Sequence, residues 1–290
     1  VKLRRYRRTL ARPEWIRHPA RLEHAGELVA APCEVWAAEP AGDRLVLVAV
    51  PVAGLEPLRA ACAAVRVAAS PRTSAMVTYA KIFGYQPRFS LRHDFCTAAA
   101  LNREQPDAAA VLTWHARVAE LKYHEHNPDL CAEHALALRG VRPCWRIDGG
   151  AFTSGIVNRD NPLRYHTDTG NFPRLWSVMF VMPRHVRGGE LVLPELGLAL
   201  RFAEDTAVMF AGQELIHGVT PIQRTRADGA RHSVVYYALR GMCGCLEPGD
   251  ELARIRTVRT EREGRRARGE TPPDPRRGDW RWKGTPNGRR

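Results

Sequence analysis

A helical first half followed by a β-rich second half predicts an α+β fold, and three observations support that class. Between residues 151 and 239 seven short apolar segments recur, at 151–158, 176–182, 190–193, 198–202, 206–210, 216–222 and 233–239, punctuated by Gly, Pro, Asn and Asp. Seven strands with no helix between them read as a small antiparallel barrel or jelly roll. Helical periodicity is confined to the residues upstream. No apolar run approaches the ~18 residues that a membrane helix requires, so a membrane partner is not expected.

The first elements are set by charge. Residues 1–21 hold eight Lys or Arg against the single acid Glu14, and residues 254–290 hold thirteen against five, whereas the whole chain is +13. The interior is therefore close to neutral between two cationic ends, expected as a basic arm over 1–24 and a largely disordered basic tail over 246–290. Cationic ends point to a polyanion, most often nucleic acid, because neutralising phosphates releases condensed counterions. Solubilising tails or codon drift are the plainer explanation, since only four lysines stand among 44 basic residues.

Between these ends, 25–150 reads as an N-terminal α/β part and 151–245 as the β core. Residues 44–51 form a buried strand, and 56–67 a short helix with Leu58, Cys62 and Val65 on one face. The spacing predicts a longer helix over 107–122, capped by Asp107 and buried through Val111, Trp114, Val118 and Leu121. Another helix over 129–139 ends at Gly140. Seven scattered cysteines, an odd number, predict reduced thiols and a cytoplasm-like compartment. Residues 1–8 are basic with no apolar stretch behind them, so a secretory signal is not expected.

The chemistry sits in the β-rich part. His166-Thr-Asp168 places two ligand types on one side of an extended segment, and His217 on a later strand can complete a two-histidine, one-carboxylate face. Such a face suits a non-haem Fe(II) with coordination positions left open. Alone, an H-x-D is weak. The strand beginning at Arg231 strengthens it, because Arg231, Ser233, Val235 and Tyr237 share one face of an otherwise apolar barrel. A buried guanidinium needs an anion. A small dicarboxylate fits, with Arg231 pairing its distal carboxylate and Ser233 adding a hydrogen bond. A structural salt bridge is the alternative, but the order of these residues favours an Fe(II) and 2-oxoglutarate site.

Residues 151–240 resemble the double-stranded β-helix of Fe(II)/2-oxoglutarate dioxygenases, a jelly-roll, cupin-like core with the N-terminal part packed on it. Phe152-Thr-Ser-Gly-Ile-Val-Asn158, Tyr165-His-Thr-Asp-Thr-Gly-Asn171, Gly188-Gly-Glu-Leu-Val-Leu-Pro-Glu195 and Leu215-Ile-His-Gly-Val-Thr-Pro221 resemble the TET/JBP branch, especially its phage and metagenomic members. Phe83-Gly-Tyr-Gln-Pro-Arg88 and Asp94-Phe-Cys96 belong to the same pattern, so the likeness covers about 80–245. It implies His166, Asp168 and His217 as iron ligands, and Arg231 and Ser233 as the 2-oxoglutarate residues. Asn158 is a guess for the 1-carboxylate. Asn171 would hydrogen-bond the target base and Tyr237 would stack on it. Animal TET enzymes have a base-reading histidine where this chain has Leu239.

The activity implied is oxidation of the 5-methyl group of 5-methylcytosine in DNA by iron-oxo hydroxylation. O2 and 2-oxoglutarate are the co-substrates, and 5-hydroxymethylcytosine the product. Formyl- and carboxylcytosine are left open as further products. A methyl group inside a duplex is out of reach of a buried iron, so the base must be flipped out. The basic ends would hold the duplex, and Arg276, Arg277, Trp280, Arg281, Trp282 and Lys283 interleave cations with aromatics suited to unstacked bases. The alternatives are a base-J-type thymine hydroxylase, then a protein hydroxylase. The expectation is a monomer without a protein partner, in the cytoplasm of a bacterial or phage-infected cell, or in the nucleus of a eukaryote. A zinc site from His124, His126, Cys131 and His134 is disfavoured by Pro128 and by irregular spacing.

Overall fold

The computed structural model describes residues 1–67, 69–71, 77–88 and 95–270. Its strands in the first half are β1 (Lys2–Tyr6), β2 (Glu27–Ala30), β3 (Cys33–Ala38), β4 (Arg44–Pro51), β5 (Ala69–Pro71), β6 (Val77–Gln86) and β7 (Thr97–Ala98). In the second half they are β8 (Ser154–Arg159), β9 (Ser177–Arg184), β10 (Val186–Gly188), β11 (Leu191–Leu193), β12 (Leu198–Arg201), β13 (Thr206–Phe210), β14 (Gly218–Val219), β15 (Ile222–Arg224) and β16 (Ala230–Tyr237). The helices are α1 (Arg12–Trp15), α2 (Glu56–Ala64), α3 (Ala100–Glu104), α4 (Pro106–His126), α5 (Pro128–Ala137) and α6 (Pro248–Ala267). Among the described residues no helix is long and apolar enough to cross a membrane.

The fold is mixed α+β, built on a large sheet of order β1-β3-β4-β13-β9-β16-β8-β6-β5, with β7 paired to β6. A smaller sheet runs β14-β11-β12-β2, and β10 pairs β15. The period of two along each strand sends alternate side chains to two cores. Val178, Phe180 and Met182 of β9, Ala207 and Met209 of β13, and Val234 and Tyr236 of β16 pack under α2 and α4, beside Leu58, Cys62 and Leu112. Met179, Val181, Val208 and Phe210 point the other way, towards Leu191, Leu193, Leu198 and Leu200 of the smaller sheet. That second core lies between the two sheets, and the polar site opens beside it.

Strands β4 and β13 have the expected bounds. The expected strand over 216–222 is divided, because Pro221 offers no N–H to a ladder; β14 pairs β11 before it and β15 pairs β10 after it. The helix over 107–122 exists but is rotated from the expectation: Val111 and Val118 pack partly buried against the core, while the other two expected residues do not. Trp114 and Leu121 are exposed, while Ala108, Ala109, Leu112, Ala116, Ala119 and Tyr123 are buried. Alanines let the helix axis approach the sheet closely around Leu112 and Tyr123, and Trp114 and Leu121 are left outside. Gln105, not Asp107, is the N-cap, with Pro106 in the first turn.

Three further expectations are corrected. The 1–24 segment is not a free arm: β1 runs parallel to β3 in register Leu3–Val35, and Lys2, Arg4, Arg5 and Arg7 pair with Glu34, Asp43, Glu27 and Glu195. Charge counted along the chain could not see these distant acids. Cys96 and Cys245 form a disulfide across 149 residues, with Cα atoms 5.8 Å apart; tertiary approach, not count, decides which thiols meet. The chain after the last strand is helical in α6. Its buried Glu251 pairs with Arg88 and accepts hydrogen bonds from the Cys96 and Leu246 backbone amides. Asp94 and residues 271–290, with Trp280 and Trp282, lie outside the described residues.

Candidate active site

His166 and His217 face each other across an isolated antiparallel bridge, each backbone N–H donating to the other's carbonyl at 3.0 Å. Their rings lie with centroids 4.3 Å apart. Asp168 enters from the same segment as His166, its N–H donating to Gly212 O at 2.9 Å. Its carboxylate stands 3.8 Å from His166 Nε2 and 4.0 Å from His217 Nε2. The ligand atoms of the three residues lie within 4.8 Å of one another, and among the described residues this is the one such group of three or more metal-capable side chains. The zinc arrangement is therefore not assembled: His134 is fully buried between Tyr123 and Phe152.

The histidine tautomers follow from what holds them. His166 Nδ1 lies 2.8 Å from Arg164 O and His217 Nδ1 lies 2.9 Å from Leu215 O. A carbonyl only accepts, so each Nδ1 carries a proton, and each Nε2 is left on the side that faces Asp168. This is the anchoring that metal-binding imidazoles need. Gly212 makes the close approach possible, since a Cβ there would sit 2.4 Å from Asp168 Oδ2 and 3.3 Å from the His217 ring. Sequence reasoning missed Gly212, for no motif marks it.

On β16, Arg231 is only 2% exposed. Its guanidinium makes a long 3.5 Å contact from Nη1 to Ser233 Oγ. Nε and Nη2 are buried and have no hydrogen-bond partner among the described residues. Burial draws the Arg231 pKa down to about 10, with Asp160 and Glu190 offsetting part of that. Neither acid pairs with the guanidinium: Asp160 binds Arg224 and the Arg231 backbone N–H, and Glu190 accepts from Thr220 Oγ1 at 2.5 Å. Gly189, at φ +77°, leaves room for the arginine, as a Cβ there would lie 2.6 Å from its Cδ. The structural salt bridge weighed from the sequence is thus not formed. A buried cation with two unused donors fits a carboxylate ligand.

Asn158 of β8 lies opposite Ser233 in the ladder and so shares its face, but its Oδ1 already accepts from Asn161 Nδ2 at 2.8 Å. Asn171 is buried, with Nδ2 3.2 Å from Ser177 Oγ, and bridges to Leu239. Tyr237 is half-buried on the Arg231 face of β16, opposite Ser154. Every residue singled out for the site therefore lies on the inner face of the large sheet or on the loops beside it.

Over 83 residues, 26% of this chain, the sequence is 34% identical to "5-methylcytosine-modifying enzyme 1" of Chlamydomonas reinhardtii; the chain spans 15% of that protein's length. NgTET1, solved in complex with 5mC DNA, has a similar fold, with TM-score 0.51 and 14% identity over 76% of this chain and 84% of that one. An oxidoreductase of the 2OG-Fe(II) oxygenase family from Burkholderia pseudomallei aligns over 67% of this chain and 88% of its own, at 17% identity and TM-score 0.45. Residues 109–240, which contain the histidines, the aspartate and all of β16, match the model of the Tet_JBP family, described as the oxygenase domain of the 2OGFeDO superfamily.

Proposed function

We propose that this chain is an Fe(II)- and 2-oxoglutarate-dependent dioxygenase that oxidises the 5-methyl group of 5-methylcytosine in DNA, and that its two facing sheets are a double-stranded β-helix. The observation that carries the proposal is the pairing of an anchored His166, Asp168, His217 face with a buried Arg231 whose Nε and Nη2 have no acceptor among the described residues. The two Nε2 atoms and the Asp168 carboxylate would hold the iron. Arg231 would take the distal carboxylate of 2-oxoglutarate in a bidentate pair, with Ser233 as a further donor. Asn158 is the nearest candidate for the other end of that ligand. Bound iron, with O2 and 2-oxoglutarate, supplies the oxidising power for hydroxylating a methyl C–H bond, leaving succinate and carbon dioxide.

The protein's part is to present the base and exclude water. A flipped cytosine would stack on Tyr237 and receive a hydrogen bond from Asn171, whose amide is oriented by Ser177. Phosphate contacts would fall to α6, whose Arg256, Arg259, Arg265 and Arg266 are exposed, because the charges of β1 are largely paired within the fold.

Leu239 favours keeping thymine as a second substrate reading. It bridges Asn171 and is apolar, so no side chain at that position can read the cytosine amino group. Incubation with 5-methylcytosine DNA, Fe(II) and 2-oxoglutarate, followed by mass spectrometry of the nucleosides, separates the two. Oxidised cytosines are expected; hydroxymethyluracil without them would overturn the first reading in favour of the second. His217→Ala is expected to bring turnover to background while DNA affinity stays as in the parent.

A further inference from the structure

Both histidine-bearing segments are gripped from behind by residues 7–24, which lie outside the matched oxygenase domain. On the His166 side, Tyr165 turns its backbone outward. Its N–H donates to His18 O at 2.9 Å and its carbonyl accepts from Arg17 N at 2.8 Å. Residue 166 bonds inward to His217, so the 17–18 segment acts as an added edge to the two-residue ladder that carries the ligands. Arg17 is held there at φ +75°, a left-handed conformation unfavourable for a residue with a Cβ. The Tyr165 ring is fully buried, its hydroxyl 3.0 Å from His24 Nδ1 and its edge against Trp15.

On the His217 side, the Ile216 N–H donates to Glu195 Oε2 at 2.7 Å. Glu195 is 4% exposed and its other oxygen meets Arg7 Nη2 at 3.4 Å. The same Arg7 nitrogen donates to Glu214 O at 2.8 Å, and Arg12 Nη2 donates to that carbonyl at 3.0 Å. Ala20, Tyr165 and Ile216 share one small core. A Cβ on Gly218 would lie 2.8 Å from the Ala20 Cβ, so the chain behind His217 has no slack.

We propose that residues 7–24 are a positioning element of the metal centre. Arg7, through Glu195 and Ile216, and His24, through Tyr165, set the spacing of His166 and His217. The proposal rests on the reading of these histidines as metal ligands. It gives this part of the basic N-terminus a task different from holding DNA. Outer partners that orient metal-binding imidazoles are worth roughly 10–100-fold in metal affinity, and these act one residue further out.

The test uses the full chain stripped of metal and titrated with Co(II), whose visible absorption reports coordination. Arg7→Met and Tyr165→Phe are each expected to weaken Co(II) binding by about tenfold, the lower end of that range, and to alter the spectrum of the bound ion. Arg7→Lys, which keeps the positive charge, is expected to restore part of the affinity. Arg5→Met, just outside residues 7–24, loses the pairing to Glu27 of β2 and is expected to bind Co(II) as the parent does. Parent-like affinity in both Arg7→Met and Tyr165→Phe would overturn the proposal. So would an affinity that falls only in step with the urea midpoint while the spectrum is unchanged. A parent protein whose Co(II) spectrum persists in His217→Ala would instead overturn the ligand reading, and this proposal with it.

Discussion

The two faces of β16 carry different chemistry on one strand. Val234 and Tyr236 point into the layer under α2 and α4, where Tyr236 is fully buried and its hydroxyl donates to Leu112 O at 2.9 Å. Arg231 and Ser233, one step out of phase, point between the sheets, where the guanidinium keeps two donors unused. The first face is mostly apolar, with His232 Nε2 buried on it and unbonded among the described residues; the second holds a buried guanidinium with two such donors. Stability should therefore depend on the first face and ligand binding on the second.

The sharpest way to break that division is Leu112→Ala. Leu112 is fully buried at the centre of the helix-side core, and its truncation should cost about 2–5 kcal/mol of unfolding free energy. Urea denaturation checks the loss, and calorimetry should find 2-oxoglutarate affinity in the folded protein unchanged.

The helix-side layer also contains His134, whose pKa burial pushes down to about 4. An unfolded histidine titrates near 6.5, so between these values the unfolded chain binds more protons. The stability present above pH 6.5 should fall as pH drops, by about 3 kcal/mol at pH 4. His134→Leu should flatten that part of the pH–stability curve, measured as urea midpoint against pH.

Arg231→Met tests the opposite face. Loss of the buried partner should weaken 2-oxoglutarate by about a hundredfold, ~2.7 kcal/mol. The ligand-free variant should have a higher urea midpoint than the parent, because a buried cation only partly offset by Asp160 and Glu190 has been removed. A lower midpoint would mean that Arg231 is structurally satisfied. The smallest effect is expected from Tyr237→Ala, which should lose ~1–3 kcal/mol of base stacking. It should appear as weaker binding of methylated DNA with 2-oxoglutarate affinity retained.

Much of this was legible in the sequence where the chemistry is local. The H-x-D pair lies in one extended segment, and the alternation of β16 puts Arg231, Ser233 and Tyr237 on one face whatever lies around them, since a strand's period is two. Strands β4 and β13 were readable for a similar reason: both are short apolar runs between turn residues. Helix α4 shows the limit. Its existence follows from length and periodicity, but its buried face does not, because both faces carry apolar residues and only the closeness of the sheet decides that alanines go inward.

What the sequence alone determined, then, is the residue types of the site and their order along the chain. Tertiary structure decided which acids neutralise β1, that Cys96 meets Cys245, that Gly212 admits Asp168 beside His217, and that Arg7 reaches Glu195 behind the histidine ladder. The physical reason is the same in each case. Local geometry is set by bonds between neighbours in sequence, whereas pairing across tens or hundreds of residues depends on which surfaces the two cores bring into contact.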